Sequence, residues 1–357
     1  MKKINVLIVD DSAVIREYIT SILNSDPAIE VIGAASDPLF AIERMKNVTP
    51  DVIVLDIEMP RMDGLTFLKK IMSENPIPVV ICSSLTANGA SVTFEALRLG
   101  AVSCVGKPKD IRNRFLEDAA DDLISQVKAA ASAKLRPAHQ PSVQSQVHQT
   151  KFVHEKKNNF NHVDVNNLVV IGASTGGTQA LEAILSELPA DSPPILIVQH
   201  MPEFFTASFA KRLNGICQIE VAEAVHLQKI SKGMAIIAPG GKHMKLQKRG
   251  AAFYVEVIDG PLVNRHKPSV DVLFRSVTEY VSNNVLGILL TGMGADGALG
   301  LLRLKEAGAF TIGQNEESSI VYGMPKEAFR IGAVMKQMHL DDIASAIIKF
   351  NLNQKLV

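Results

Sequence analysis

At 357 residues the chain has the length of two domains of ordinary size. Apolar residues make up 47% and charged residues 21%, the profile of a soluble globular protein with enough chain for two sizeable cores. Lys plus Arg and Asp plus Glu each number 37, so the formal net charge is zero, without the basic excess by which a nucleic-acid binder neutralises phosphates.

Three cysteines, Cys82, Cys104 and Cys217, have no C-x-x-C spacing, which argues against a disulfide framework or a thiolate zinc site and for a reducing compartment. The apolar run near the N-terminus is too short for a signal sequence, and no segment reaches the roughly 18 apolar residues of a membrane span. The expectation is a cytoplasmic protein with no membrane insertion.

Taken in chain order, residues 4–10, 29–36, 51–57, 78–83 and 101–107 are short apolar runs that read as strands. Between them apolar residues fall at helical spacing, as at Val14, Ile15, Tyr18, Ile19 and Ile22. A last helix is predicted over 111–133, with Ile111, Phe115, Leu116, Leu123, Ile124 and Val127 inward. Five strands each followed by a helix predict a doubly wound parallel sheet. Residues 131–162 then break the pattern, carrying four of the nine histidines (139, 148, 154 and 162), four glutamines and two prolines. The segment reads as a flexible linker, and its histidine spacings match no metal-ligand pattern.

Beyond the linker, strands are predicted at 167–174, 194–200, 233–239, 285–292 and 309–314. Helices are predicted at 177–188, 204–213, 269–282, 297–307 and 341–350, and a hairpin at 244–259 turning at Arg249-Gly250. The fold class is therefore α/β: a five-stranded parallel domain, then an α/β domain with a mostly parallel sheet and a β-hairpin. Domains are drawn at 1–124 and 165–357, with a helix end and linker over 125–164.

In doubly wound sheets the functional crevice lies at the carboxyl ends of the strands. There the first strand ends in Asp10-Asp11 and the third in Asp56, a cluster of like charges that makes sense around a hard cation such as Mg²⁺. The fourth ends in Ser83 and the fifth in Lys107, adding a hydroxyl and an ammonium. Such a set can accept a phosphoryl group on a carboxylate. With Met59-Pro60, Asp63-Gly64 and Lys107-Pro108, residues 1–124 resemble the receiver domain of bacterial two-component response regulators. The resemblance implies that Asp56 is phosphorylated, that Asp10 and Asp11 help hold Mg²⁺, and that Ser83 and Lys107 engage the phosphate. Cys104 departs from the aromatic residue usual three positions before the lysine.

In the second domain, Gly172-Ala173-Ser174-Thr175-Gly176 joins a strand to a helix, a turn that exposes a serine hydroxyl near helix N–H groups. A phosphate-binding loop is the rival reading. Of the five histidines here, His200 alone ends a strongly apolar strand, placing it on the same rim. His243 and His266 lie in loop-like sequence that could border a groove, and His226 and His339 in polar surroundings. Asp296 is the acid on the third rim position, so Ser174, His200 and Asp296 form a candidate triad in an order unlike that of α/β-hydrolases. The same stretch spells Gly292-x-Gly294-x-x-Gly297 with Glu316 downstream, a dinucleotide fingerprint that would leave Ser174 and His200 without a role.

The segments GASTGGTQAL, QHMPEFFTASFAKRLN, APGGKHMKL, KPSVDVLFRS and TGMGADGALGL make residues 165–350 resemble the catalytic domain of the chemotaxis protein-glutamate methylesterase family. The resemblance implies Ser174 as nucleophile, His200 as base, Asp296 as orienting acid, the Met293 N–H in an oxyanion hole, and Thr175 positioning His200. It also implies a phosphorylation-controlled hydrolase of receptor glutamate methyl esters and glutamine amides, with no cofactor for the esterase reaction. A chemotaxis histidine kinase and methyl-accepting chemoreceptors are the implied partners. The competing class is a phospho-dependent binding module with a silent hydrolase.

Overall fold

The structure is a computed structural model that describes residues 2–59, 61–83, 87–107, 116–135, 167–203, 205–280 and 284–354. The predicted linker lies mostly outside the described residues, as do Ile111 and Phe115.

The first domain alternates strictly: β1 (Ile4–Val9), α1 (Ala13–Asn24), β2 (Ile29–Ala35), α2 (Pro38–Met45) and β3 (Val52–Leu55). It continues with α3 (Gly64–Glu74), β4 (Val79–Ser83), α4 (Ala87–Arg98), β5 (Ser103–Gly106) and α5 (Leu116–Ala131). The strands pair in parallel in the order β2-β1-β3-β4-β5. The central strand Val52–Leu55 is wholly buried because helices cover both faces, which is why it reads as an unbroken apolar run. Local chemistry starts the helices: Ser12, Asp37 and Asp63 each accept from backbone N–H groups in the first turn, at Ile15, at Leu39 and Phe40, and at Thr66. Leu123, Val127 and Ala130 of α5 fill the core under this sheet.

The second domain opens with β6 (Leu168–Ala173), α6 (Gly177–Ser186), β7 (Ile195–Gln199) and α7 (Phe205–Ile216). Four strands follow, β8 (Glu220–Glu223), β9 (Gln228–Lys229), β10 (Met234–Ile237) and β11 (His243–Arg249), then β12 (Ala252–Ile258). The chain closes with α8 (Val270–Thr278), β13 (Val285–Leu289), α9 (Ala298–Glu306), β14 (Phe310–Gln314), α10 (Met324–Arg330), β15 (Lys336–Met338) and α11 (Leu340–Asn351). Seven strands form a parallel sheet in the order β15-β14-β13-β6-β7-β10-β8, and β11-β12-β9 form a small antiparallel sheet.

The predicted strands and hairpin are all present, and β8, β9, β15 and α10 are additions. In the seven-stranded order the chain moves from β6 to β7 on one side and later returns to β13 on the other. The carboxyl ends of β6, β7 and β13 thus converge at a topological switch point, where open α/β sheets place their ligands. Among the described residues no helix is long and apolar enough to cross a membrane.

The two domains share one apolar cluster. Phe94 of α4 stacks on Phe209 at 5.4 Å and meets Phe205 edge-on at 6.4 Å, both on α7. Gln179 of α6 donates to the carbonyls of Leu97 and Ala101 at 2.9 and 3.3 Å. The α4, β5 and α5 side of the first domain therefore rests on the switch point of the second.

Candidate active site

Each arm of the predicted triad arrives from a different strand end. Ser174 follows β6, its N–H donating to Thr291 O at 3.0 Å and its carbonyl accepting from Gly177 N at 2.7 Å. The turn needs Gly176 at φ 79°, in the left-handed region that lets the strand break sharply into α6. A methyl group on Gly292 would lie 2.6 Å from Ser174 Cβ, so the loop after β13 passes Ser174 only as glycine.

His200 follows β7, tied by its N–H to Ala173 O at 3.0 Å. Its Nε2 lies 2.9 Å from Asp296 Oδ2, and its buried Nδ1 has no hydrogen-bond partner among the described residues. The bond to the carboxylate holds the proton on Nε2 and leaves Nδ1 as the basic nitrogen. Gln199 ties the two strand ends together, its Nε2 donating to the carbonyls of Ser174 and His200 at 2.9 and 3.0 Å.

Asp296 is buried and held on every side. Oδ1 accepts from Asn264 Nδ2 and Ser269 Oγ, both at 2.8 Å, and Oδ2 accepts from Val270 N at 2.7 Å. The carboxylate sits at the start of α8, where unpaired N–H groups and the helix dipole favour negative charge. Burial pushes its pKa up, but the His200 bond and charge and the Asn264 and Ser269 donors outweigh it, holding the carboxyl below the usual range. The Gly292–Gly297 stretch is folded to deliver this acid inward: Gly292 O accepts from Gly323 N at 3.1 Å and Met324 N at 2.7 Å. Glu316 pairs with Lys134 at 3.0 Å on the surface. The stretch that spells the fingerprint thus carries Asp296 to His200.

Met293 follows Gly292, and its N–H makes no hydrogen bond to any described residue. The Thr175 hydroxyl, expected to position His200, donates instead to Gln126 Oε1 of α5 at 3.3 Å. His243 bonds to Pro261 O and to Ser269 N, a structural role. His266 stacks on His200 with ring centroids 3.7 Å apart, and burial, then the His200 charge, push its pKa down to about 3. It is a neutral face for the base.

Sequence reasoning missed Gln199, Asn264 and Ser269 as supports. The Pro-Ser pair before a predicted helix was the available signal for Ser269, which occupies the N-cap position of α8.

The other site lies in the first domain. Asp10 Oδ1 accepts from Ser12 N at 2.8 Å, and Asp56 Oδ1 from Ile57 N at 2.7 Å. Their Oδ2 atoms, buried and without well-aligned hydrogen bonds, face the Lys107 ammonium at 2.8 and 2.7 Å. Burial raises the Asp56 pKa, Lys107 opposes that, and the Asp10 charge adds to it. Asp10, Asp11 and Asp56 each bring a carboxylate oxygen within 4.8 Å of the others, a hard oxygen set with free valences that suits Mg²⁺. Ser83 is buried at the end of β4 beside them.

The arrangement matches known proteins over nearly its whole length. Residues 169–347 match the family described as CheB methylesterase, and residues 6–117 the response regulator receiver domain. The chain belongs to this family of receiver-linked methylesterases. It is 54% identical over 352 residues to protein-glutamate methylesterase/protein-glutamine glutaminase 2 of Hahella chejuensis, covering 97% of this chain and 96% of that protein. It is 55% identical over 346 residues to the corresponding protein 1 of Photobacterium profundum, covering 96% and 99%. The crystal structure of the Thermotoga maritima CheB methylesterase catalytic domain, 32% identical, superposes with a TM-score of 0.51 over 52% of this chain and 98% of that one.

In this enzyme the receiver lies over the triad. Ser125 Oγ reaches Met293 Sδ at 3.8 Å, and Arg265 pairs with Asp121 at 3.8 Å. A cavity of about 260 Å³ remains between the domains, walled by His200, His266 and Pro202 on one side and Cys104, Asp122 and Gln126 on the other.

Proposed function

We propose that this chain is a phosphorylation-controlled serine hydrolase of the cytoplasm that removes methyl groups from glutamate γ-esters of methyl-accepting chemoreceptors and deamidates receptor glutamines. Ser174 is the nucleophile, His200 the base and Asp296 the acid that orients it. The observation that carries the reading is the 2.9 Å His200–Asp296 bond with Nδ1 left free, on the strand end adjoining that of Ser174.

His200 Nδ1 takes the Ser174 proton as Oγ attacks the ester carbonyl. The Met293 N–H is directed to the oxygen that gains charge. Collapse of the tetrahedral intermediate breaks the bond to the methoxy oxygen, which takes its proton from His200 and leaves as methanol. Water, deprotonated by His200, then attacks the acyl-serine; Ser174 regains a proton, and glutamate is freed. With a glutamine side chain the leaving group is ammonia.

Control rests on Asp56, which accepts a phosphoryl group from a chemotaxis histidine kinase. Asp10, Asp11 and Asp56 would hold Mg²⁺, which would supply positive charge against the carboxylates and the incoming phosphoryl oxygens. Lys107 and Ser83 engage the phosphate, and the new charge shifts the receiver away from the triad. The placement of Phe94, Gln126 and Asp121 against the catalytic domain supports this. The domains of this reading are 1–124 and 165–357, joined by 125–164, of which the α5 end packs on the receiver through Val127 and Ala130.

The test is methanol release from methylated receptor membranes, with and without Mg²⁺ and a small phosphodonor. Release is lost in Ser174→Ala, and stimulation is lost in Asp56→Asn. Release from Ser174→Ala at the wild-type rate would overturn the assignment.

A further inference from the structure

The face of α5 turned to the catalytic domain carries Asp122, Ser125 and Gln126, spaced i, i+3, i+4 along one side of the helix. Asp122 lines the cavity beside His200, Ser125 reaches Met293, and Gln126 enters the narrow pocket shared by Ser174, Thr175 and His200. The Gln126 carboxamide is bonded at both ends. Its Oε1 accepts from the Thr175 hydroxyl at 3.3 Å, one residue from the nucleophile, and its Nε2 donates to Asp122 Oδ1 at 3.4 Å.

The group at that position matches the chemistry of the site. The curated relatives are named for hydrolysis of protein glutamate esters and protein glutamine amides, which share a carbonyl on the same side-chain carbon. Gln126 presents that carbonyl from within the chain. We infer that Gln126 occupies the subsite of the scissile side chain, so that α5 is a pseudosubstrate whose carbonyl is held on the Thr175 hydroxyl and kept off the Met293 N–H. The inference rests on Ser174 being the nucleophile.

The bonding also explains how a glutamine rests at a glutaminase site unhydrolysed. Its nitrogen is directed to Asp122, an acceptor on its own helix, while His200 Nδ1 has no partner. A departing amine needs a proton from His200, and that line of transfer is not made. Binding is retained and turnover is not.

A plug and a lid differ in what they exclude. A receiver that merely overhangs the site blocks a receptor but admits a small molecule, for which the 260 Å³ cavity beside His200 has room. A carboxamide seated in the subsite blocks both. The experiment is the rate at which a small fluorophosphonate labels the unphosphorylated full-length chain. Gln126→Met keeps the length and helix preference of the side chain and removes only the carboxamide; Gln126→Ala removes the rest.

Both variants are expected to label at least about fivefold faster than wild type, roughly the worth of one hydrogen bond. Their unphosphorylated methanol release should rise through a lower apparent KM, while kcat after phosphorylation stays the same. Phosphoryl acceptance at Asp56 reports that each variant is folded. Equal labelling of wild type and both variants, whatever the rate of Phe94→Ala, overturns the pseudosubstrate. Labelling that persists in Ser174→Ala overturns the nucleophile assignment instead.

Discussion

The side-chain amide of Asn264 donates to Asp296 Oδ1 at 2.8 Å, and the same nitrogen lies 2.8 Å from Asp271 Oδ2. It reaches both carboxylates from a two-residue turn, Asn264 and Arg265 at φ 52° and 67°, closed by reciprocal bonds between Val263 and His266. Asparagine suits that backbone and supplies the donor. Replacing it by glycine keeps the turn and removes only the amide. Asn264→Gly is expected to lower kcat about tenfold, the worth of one hydrogen bond to a charged group, with KM little changed. An unchanged kcat in steady-state methanol assays would show that Ser269 and Val270 suffice to hold Asp296.

Cys104 stands where receivers of this type usually carry an aromatic ring, and it borders the cavity beside His200 and Gln126. Burial pushes its thiol up to about 12, so it acts there as a small neutral side chain. A tyrosine ring there would turn into the interdomain cavity and press on Gln126 and His200, which wall it. Overpacking costs ~1–3 kcal/mol, which spent on the docked state shifts its population about five- to 150-fold. Cys104→Tyr should therefore raise unphosphorylated methanol release by about tenfold, whereas Cys104→Ser should not. A silent Cys104→Tyr would mean the ring finds another rotamer.

The central strands were legible because parallel strands covered on both faces are continuous apolar runs, as at Val52–Leu55 and Leu168–Ala173. The edge strands were not. Glu220–Glu223 is half-buried and acidic, Lys336–Met338 has three residues, and neither has a run long enough to register. The short helix Met324–Arg330 was also missed, although Pro325 in its first turn after Gly323 marks its start. The proposed triad was readable because Ser174 and His200 directly follow strands and Asp296 lies in the glycine-marked loop after β13. Asn264 and Gln126 were not, since each acquires its role from a partner distant in sequence.

Asp122 faces His200, His266, Arg265 and Lys267 across the cavity. Burial raises its pKa above 3.8, while the Gln126 hydrogen bond and the His200 charge draw it part of the way down. A carboxyl raised by docking binds its proton more tightly when docked, so protonation favours the closed form. Docking is then strongest below 3.8 and weakens as pH rises through the docked value. The ratio of unphosphorylated to phosphorylated turnover, in which the titration of the triad cancels, should rise with pH from the ordinary carboxyl range up through the raised docked value. Asp122→Asn should flatten that rise and lower the ratio at neutral pH. A rise that survives in Asp122→Asn would assign the titration to another group.

Removing divalent cations should separate the two chemistries. The acidic set Asp10, Asp11 and Asp56 lies in the receiver, with Lys107 against two of the three carboxylates. A phosphoryl group brought to Asp56 adds negative charge to a cluster that one ammonium does not neutralise, so Mg²⁺ is needed for transfer. In the proposed mechanism Ser174 needs no such help: its charge develops beside backbone N–H groups, and the His200–Asp296 pair carries the proton. With EDTA present, a small phosphodonor should no longer stimulate methanol release, while the unstimulated rate stays within assay error. Loss of the unstimulated rate as well would place a metal in the ester chemistry and overturn the mechanism drawn for Ser174.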